Sequence, residues 1–216
     1  GIVQVGIVQG SENMGCVAGK GVLGWLVLAS GLLLSGLSLA SELPSAEAIR
    51  SALKQAHERY QGLDEGANAD YIPALAKVDP DIFGIVLVTV DGRVFSVGDV
   101  QSEVSIQSIS KVFTMALVME EKGVAAFPDS MGVDATGQPF NSINAIEQFK
   151  GAEMNPLVNA GAITTTDMVK GDNADAVWKT ILAFYNDFAG RELTVQEDIY
   201  ASEAATNQRN RAIAHL

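Results

Sequence analysis

The sequence predicts a mixed α/β fold of the α+β kind, in which an antiparallel sheet is flanked by helices and joined to a helical part. Three observations predict it. Residues 82–90 read as one apolar strand, reversed at Asp91-Gly92 into a second alternating strand at 93–97. An amphipathic pattern precedes this hairpin. Helix follows helix after it, with no further strand signal before Leu216.

In chain order, residues 1–13 repeat Gly-Ile-Val-Gln at 1–4 and 6–9, and Met14 is a plausible start. A single positive charge, Lys20, then precedes the 18-residue apolar run Val22–Leu39. The small residues Ser38 and Ala40 suit a signal-peptidase site. The run is also long enough for a short membrane span, although Gly31, Ser35, Gly36 and Ser38 weaken it as an anchor. The expected location is periplasmic or secreted if Val22–Leu39 is cleaved, and membrane-anchored or cytoplasmic otherwise. Gly15 to Gly21 is one residue short of a phosphate loop and lacks its hydroxyl residue.

The folded part is expected from Pro44. Ser45 caps a helix over 46–61, with Ala48, Ile49, Ala52, Leu53 and Ala56 facing inward. Residues 71–76 suggest a turn or one helical turn. The strand at 82–90 is apolar on both faces, as a central strand would be. A helix runs from about Ser110 to Glu121 and ends at Gly123. Residues 127–141 read as irregular, and 142–149 as a short helix. Asn155-Pro156 places proline at the first position of a helix continuing to Val169. Another helix covers 175–188 and stops at Gly190. Thr194-Val195-Gln196-Glu197 forms a capping box for a last helix toward Ala214, with Glu203, Asn207 and Asn210 at helical spacing.

Composition bounds the function. The chain has 216 residues, of which 48% are hydrophobic, enough for a sizeable core. Its net charge of −12 argues against nucleic acid as a partner, because two polyanions repel. The single cysteine, Cys16, cannot form an intramolecular disulfide. His57 and His215 are far apart, without metal-ligand spacing, and read as surface or helix-end residues.

Ser-x-x-Lys occurs twice, at Ser51/Lys54 and at Ser108/Lys111. Residues three apart share a helix face. A serine hydroxyl attacks only when a base takes its proton. A lysine serves as that base when burial lowers its pKa toward about 7–8. The first copy lies inside an amphipathic helix and reads as solvated surface. The second follows a hairpin, opens an apolar helix, and places its serine where a helix N-terminus favours negative charge.

Further motifs accompany this second copy. They are Asp70-Tyr71-Ile72-Pro73-Ala74-Leu75-Ala76-Lys77, Val90-Asp91-Gly92-Arg93-Val94, Ser105-Ile106-Gln107-Ser108-Ile109-Ser110-Lys111-Val112-Phe113, Gly137-Gln138-Pro139-Phe140-Asn141-Ser142-Ile143, and Asn155-Pro156-Leu157-Val158-Asn159-Ala160-Gly161-Ala162-Ile163. In this order they closely resemble the serine-dependent glutaminases of bacteria and of animal kidney and liver, from about Ser45 to Leu216. The resemblance implies a serine β-lactamase/transpeptidase-like fold and hydrolysis of L-glutamine to L-glutamate and ammonia. It implies no metal or cofactor, and a homodimer or homotetramer at full length. Ser108 resembles the nucleophile, with its backbone N–H as one oxyanion donor, and Lys111 resembles its base. Asn159, Glu203 and Asn210 resemble the residues that hold the α-amino and α-carboxylate groups of glutamine, and Tyr71 a tyrosine at the pocket rim.

Residues 1–43 read as a tail with the apolar signal or anchor segment, and the resemblance assigns 44–216 to a partial glutaminase domain. The family continues with further strands, tyrosines and the second oxyanion donor, so low activity is expected of this chain: each such donor is worth about 10²–10³ in rate. Two other readings stay open. One is a penicillin-binding or β-lactamase-type acyl enzyme, although no Ser-Asp-Asn follows. The other is a non-enzymatic fragment.

Overall fold

The computed structural model describes residues 2–5, 43–149 and 154–216. Cys16, the loop at 15–21 and the apolar run Val22–Leu39 lie outside the described residues. The chain forms two compact units. Of the described residues, the first takes in those up to Ala67 together with Asp79–Ser102, and the second takes Asn68–Val78 and those from Glu103 on.

In the first unit, helix α1 spans Ala46–Tyr60. Ser45 Oγ accepts from the Ala48 N–H at 3.1 Å and so caps it, as expected. Ile49 and Leu53 are buried, whereas Ala48 and Ala52 are exposed. The buried stripe is therefore narrower than the five inward positions expected, because the apolar spacing of alanine carries little burial preference.

Strand β1 (Ile2–Val5) lies parallel to β2 (Gly84–Val88), and β2 pairs antiparallel with β3 (Val94–Gly98). Strand β2 is therefore central, which accounts for its apolar character on both faces. The hairpin loop is longer than the two residues that Asp91-Gly92 predicts. Thr89 N–H donates to Arg93 O and Gly92 N–H to Thr89 O, with Gly92 at φ 81°. The Thr89 side chain explains the extra length: its Oγ1 accepts from the Arg93 N–H at 3.1 Å and donates to Asp91, holding a wider turn. Ile49, Leu53, Ile85 and Phe95 form the core of this unit. His57 is stacked on Phe83 (5.0 Å between centroids), and its Nε2 lies 3.3 Å from Phe83 O. It sits at the helix end as expected, but against the sheet rather than in solvent.

The second unit is helical. A 3₁₀ turn at Gln107–Ile109 runs into α2 (Ser110–Lys122), which ends at Gly123 with φ 83°. Helix α3 (Ala126–Ser130) occupies part of the stretch expected to be irregular, and α4 (Asn144–Phe149) falls where a short helix was expected. Helix α5 spans Asn159–Asp167 and α6 spans Ala174–Ala189.

Two helix boundaries differ from expectation. Pro156 does not open α5. Asn155 Oδ1 accepts from Leu157 N–H at 2.9 Å and Asn155 O from Val158 N–H at 3.2 Å, making an Asx turn that delays the helix by three residues. The helix expected to run from the capping box to Ala214 is two: α7 (Glu197–Ala205) and α8 (Gln208–His215). Thr206 breaks it. Its N–H bonds Glu203 O and its hydroxyl bonds Ser202 O, consuming carbonyls that a continuing helix would use. The capping box does not form either, since Gln196 is the N-cap and makes no side-chain cap bond.

Leu117, Val118, Phe127, Met131, Val169 and Ile181 form the core of this unit, with Val118 fully buried. Helix α2 is its centre: α5 and α6 pack on α2, and α8 packs on α5. An added Cβ at Gly161 in α5 would overlap the carbonyl of Asn155, so the small residue is required there.

Candidate active site

The second unit carries every candidate site residue. Ser108 lies in the 3₁₀ turn and Lys111 is the second residue of α2, so the pair straddles the junction between the two. The backbone immediately before Ser108 is strained: Gln107 has φ 44°, the only positive φ of a non-glycine among the described residues. Its Nε2 donates to Ser105 Oγ at 2.7 Å. Ser108 itself is exposed.

Lys111 is half-buried, and its Nζ donates to Asn159 Oδ1 at 2.6 Å. Among the described residues Lys111 is thus bonded to Asn159 rather than to Ser108. The ring of Phe140 stands 5.7 Å from Nζ. Burial holds the Lys111 ammonium below its ordinary pKa, because desolvation disfavours the charged form.

Asn159 is the first residue of α5, and its N–H donates to Phe140 O at 2.8 Å. One backbone bond thus ties together both groups that face Lys111. The Asn159 Nδ2 donates to Asn210 Oδ1 at 2.8 Å. An ammonium can only donate, so the amide orientation of Asn159 is fixed by Lys111, and that of Asn210 follows. Lys111, Asn159 and Asn210 form one relay across three packed helices, α2, α5 and α8.

Glu203 sits on α7 and Asn210 on α8. With Tyr200, Ala204 and Asn207 they line an open cavity of about 240 Å³. The helix break at Thr206 is what sets Glu203 and Asn210 on different helices at one cavity. Tyr71 is exposed and is not among the lining residues. Its segment is nevertheless docked on α7, where Ala74 N–H donates to Ser202 Oγ at 3.2 Å. Tyr200 and Asn207 were not assigned a role on sequence grounds, although their spacing to Glu203 and Asn210 is visible there.

The other Ser-x-x-Lys copy behaves as ordinary helix surface. Ser51 Oγ accepts from Gln55 Nε2, and Lys54 pairs with Glu58 at 3.6 Å with both side chains mostly exposed. Among the described residues, no three of His, Cys, Asp and Glu gather as metal ligands would, and no helix is long and apolar enough to cross a membrane.

The Glutaminase family model matches residues 66–216, which include all six candidate residues from Tyr71 to Asn210. The chain belongs to the glutaminase family. A glutaminase of Colwellia psychrerythraea is 51% identical over 173 residues, covering 80% of this chain and 56% of that protein. One of Brucella canis is 49% identical over 172 residues, covering 80% of this chain and 54% of the relative. The chain spans about half the length of the curated relatives it matches.

Solved glutaminases share its architecture. The structure of the probable glutaminase ybaS is 41% identical with a TM-score of 0.76, over 80% of this chain and 56% of the other. A probable glutaminase from Bacillus subtilis, complexed with 6-diazo-5-oxo-L-norleucine, is 28% identical with a TM-score of 0.65, over 81% and 52%. The fold is accordingly the β-lactamase-like one expected, a mixture of helices and a small hairpin-based sheet.

Proposed function

We propose that this chain carries the nucleophile-bearing part of an enzyme that hydrolyses L-glutamine to L-glutamate and ammonia. The observation that carries the reading is the half-buried Lys111, its pKa lowered by burial, three residues after Ser108 and tied to Asn159 and Asn210 within the matched family region.

In this reading neutral Lys111 takes the proton from Ser108 Oγ as the oxygen attacks the side-chain amide carbon of glutamine. The tetrahedral oxyanion meets the Ser108 backbone N–H. Collapse expels ammonia, with the proton returned from Lys111, and leaves a glutamyl ester on Ser108. Water, deprotonated by Lys111, attacks the ester, and Lys111 passes the proton to the departing Ser108 Oγ as glutamate is released. For the base to act, Lys111 must leave Asn159 for Ser108.

Glu203 supplies the anion for the substrate's α-ammonium, and the amide N–H groups of Asn159 and Asn210 are neutral donors for its α-carboxylate. Such a set rejects analogues that lack either group, because a buried partner would be left unpaired. In this reading Tyr71 belongs to the rim of the substrate site. The glutaminase solved with 6-diazo-5-oxo-L-norleucine, a glutamine analogue, supports an amino-acid pocket of this kind.

Ammonia release from glutamine by the 216-residue chain, measured beside Ser108→Ala, tests the reading. Release that vanishes in the variant is expected. Release that persists in Ser108→Ala overturns the nucleophile assignment.

A further inference from the structure

The second unit holds one buried polar cluster that the proposed chemistry does not use. On α2, Thr114 is buried; on α6, Tyr185 turns its hydroxyl toward the start of α2. The Tyr185 hydroxyl donates to the carbonyl of Ser110 at 3.0 Å and lies 2.5 Å from Thr114 Oγ1. Thr114 Oγ1 in turn lies 3.2 Å from the same carbonyl. Two hydroxyl groups from two helices therefore converge on one backbone oxygen, and Ser110 stands between Ser108 and Lys111.

The position of that oxygen matters. The residue before Ser108 is strained at φ 44°, and the chain passes from 3₁₀ to α geometry at Ser110. A junction of this kind relaxes unless surrounding structure holds it. The first turn of α2 has no side-chain cap of its own: Ile109, its N-cap, makes no such bond. The two hydroxyl groups supply a restraint from the far side of the helix. Phe113 and Phe188 frame the same spot, with Phe113 edge-to-face on Tyr185 at 6.0 Å and on Phe188 at 5.2 Å. Burial raises the Tyr185 pKa, so the phenol keeps the proton that it donates.

We propose that Tyr185, acting with Thr114, is a positioning residue for the Ser108–Lys111 pair: its hydroxyl fixes the Ser110 carbonyl and so holds the turn that carries both side chains. Tyr185 touches neither reacting group. It acts through the backbone, keeping Lys111 in the half-buried place beside Asn159 where its ammonium is destabilised. The inference takes its catalytic meaning from the Ser108–Lys111 reading above, but its test does not need turnover.

Competitive acetylation of the folded 216-residue chain across pH, read by mass spectrometry, gives the titration midpoint of each lysine. Exposed Lys54 serves as the internal reference. In the wild-type chain the Lys111 midpoint is expected below that of Lys54. In Tyr185→Phe, which keeps the ring and removes the hydroxyl, the Lys111 midpoint should move up toward Lys54. Its free-amine fraction near neutral pH should fall about threefold to tenfold, the equivalent of one net hydrogen bond. An unmoved midpoint in a folded Tyr185→Phe overturns the inference.

If Tyr185→Phe does not fold, Thr114→Val and Thr114→Ser read the same cluster. Valine should shift the Lys111 midpoint and serine, which restores the hydroxyl, should not; equal midpoints in the two overturn the inference. The two readings fail differently. A wild-type Lys111 that titrates with Lys54 contradicts the depressed base, and with it any positioning role. A depressed Lys111 that ignores both hydroxyl groups contradicts the positioning role alone.

Discussion

Lys111 shows what chemistry a residue inherits from its neighbours. Its spacing from Ser108 is identical to that of Lys54 from Ser51, yet one lysine is half-buried against an amide and a ring, and the other is a solvated partner of Glu58. The sequence distinguishes the two copies only through their flanks, the hairpin and apolar helix on one side and an amphipathic pattern on the other. The bond from Lys111 to Asn159 joins residues 48 apart and was not legible there, because nothing in local spacing reports which helices will pack. The same holds for Tyr185.

Two predictions belong at this scale. Asn159→Ala removes an amide donor proposed for the substrate's α-carboxylate. A hydrogen bond to a charged group is worth about 1.5–3 kcal/mol, so glutamine hydrolysis should fall about tenfold to a hundredfold, whereas Lys54→Ala should leave the rate unchanged. Steady-state ammonia release measures both. The depressed Lys111 pKa also has a signed effect on stability. The unfolded chain binds this proton more tightly than the folded one, so the cost of burying the charge is full below the folded pKa. It is relieved as pH rises through the window between the lowered value and the ordinary value of about 10.4. Lys111→Met also removes the bond to Asn159, so the change in Tm should be most favourable near neutral pH and less so toward about pH 10. A change in Tm that does not vary with pH would contradict the depressed pKa.

At the scale of elements, most helices were visible and most surprises were at their ends. Ser45, Gly123 and Gly190 cap or stop helices where expected, because a hydroxyl acceptor or a left-handed glycine acts locally. The failures share one cause, a polar side chain that takes a backbone group out of the regular ladder. Asn155 does so before α5, Thr206 between α7 and α8, and Thr89 in the hairpin loop. Each competition is local and leaves no periodic signal. The break at Thr206 is the consequential one, since it sets Glu203 and Asn210 on two helices facing a common cavity.

Helix α5 offers a sharp test at this scale. Gly161 packs against the turn at Asn155-Pro156, so Gly161→Ala must displace backbone and should cost about 1–3 kcal/mol in a urea melt. It should also weaken the reaction, because Asn159 lies one half-turn away on the same helix. Asn173 Oδ1 accepts from Ala176 N–H at 3.0 Å, and Asn173→Ala should cost about 1 kcal/mol with no effect on Lys111.

Across the whole molecule, each unit has a core of its own, which 48% hydrophobic residues make possible. Phe127, 4% exposed, anchors the helical unit, and Phe127→Ala should cost about 3–5 kcal/mol, seen as lost hydrogen-exchange protection in α2 and α6. The general fold class was legible from the order of patterns, and the family from five motifs read together. The apolar central strand also signalled a partner beyond the hairpin, and β1 lies there. The two-unit division was not legible, because residues 68–78 join the helical unit while α1 before them and the hairpin after them belong to the first, and nothing in the local pattern announces it.

The account rests on Ser108 as the nucleophile of a glutamine-binding site. Incubation of the folded chain with 6-diazo-5-oxo-L-norleucine, followed by peptide mapping, tests this most directly. The account predicts one covalent adduct on the peptide containing Ser108, suppressed by excess glutamine and missing in Ser108→Ala. A folded chain that forms no adduct, or one that reacts equally in Ser108→Ala, would contradict it.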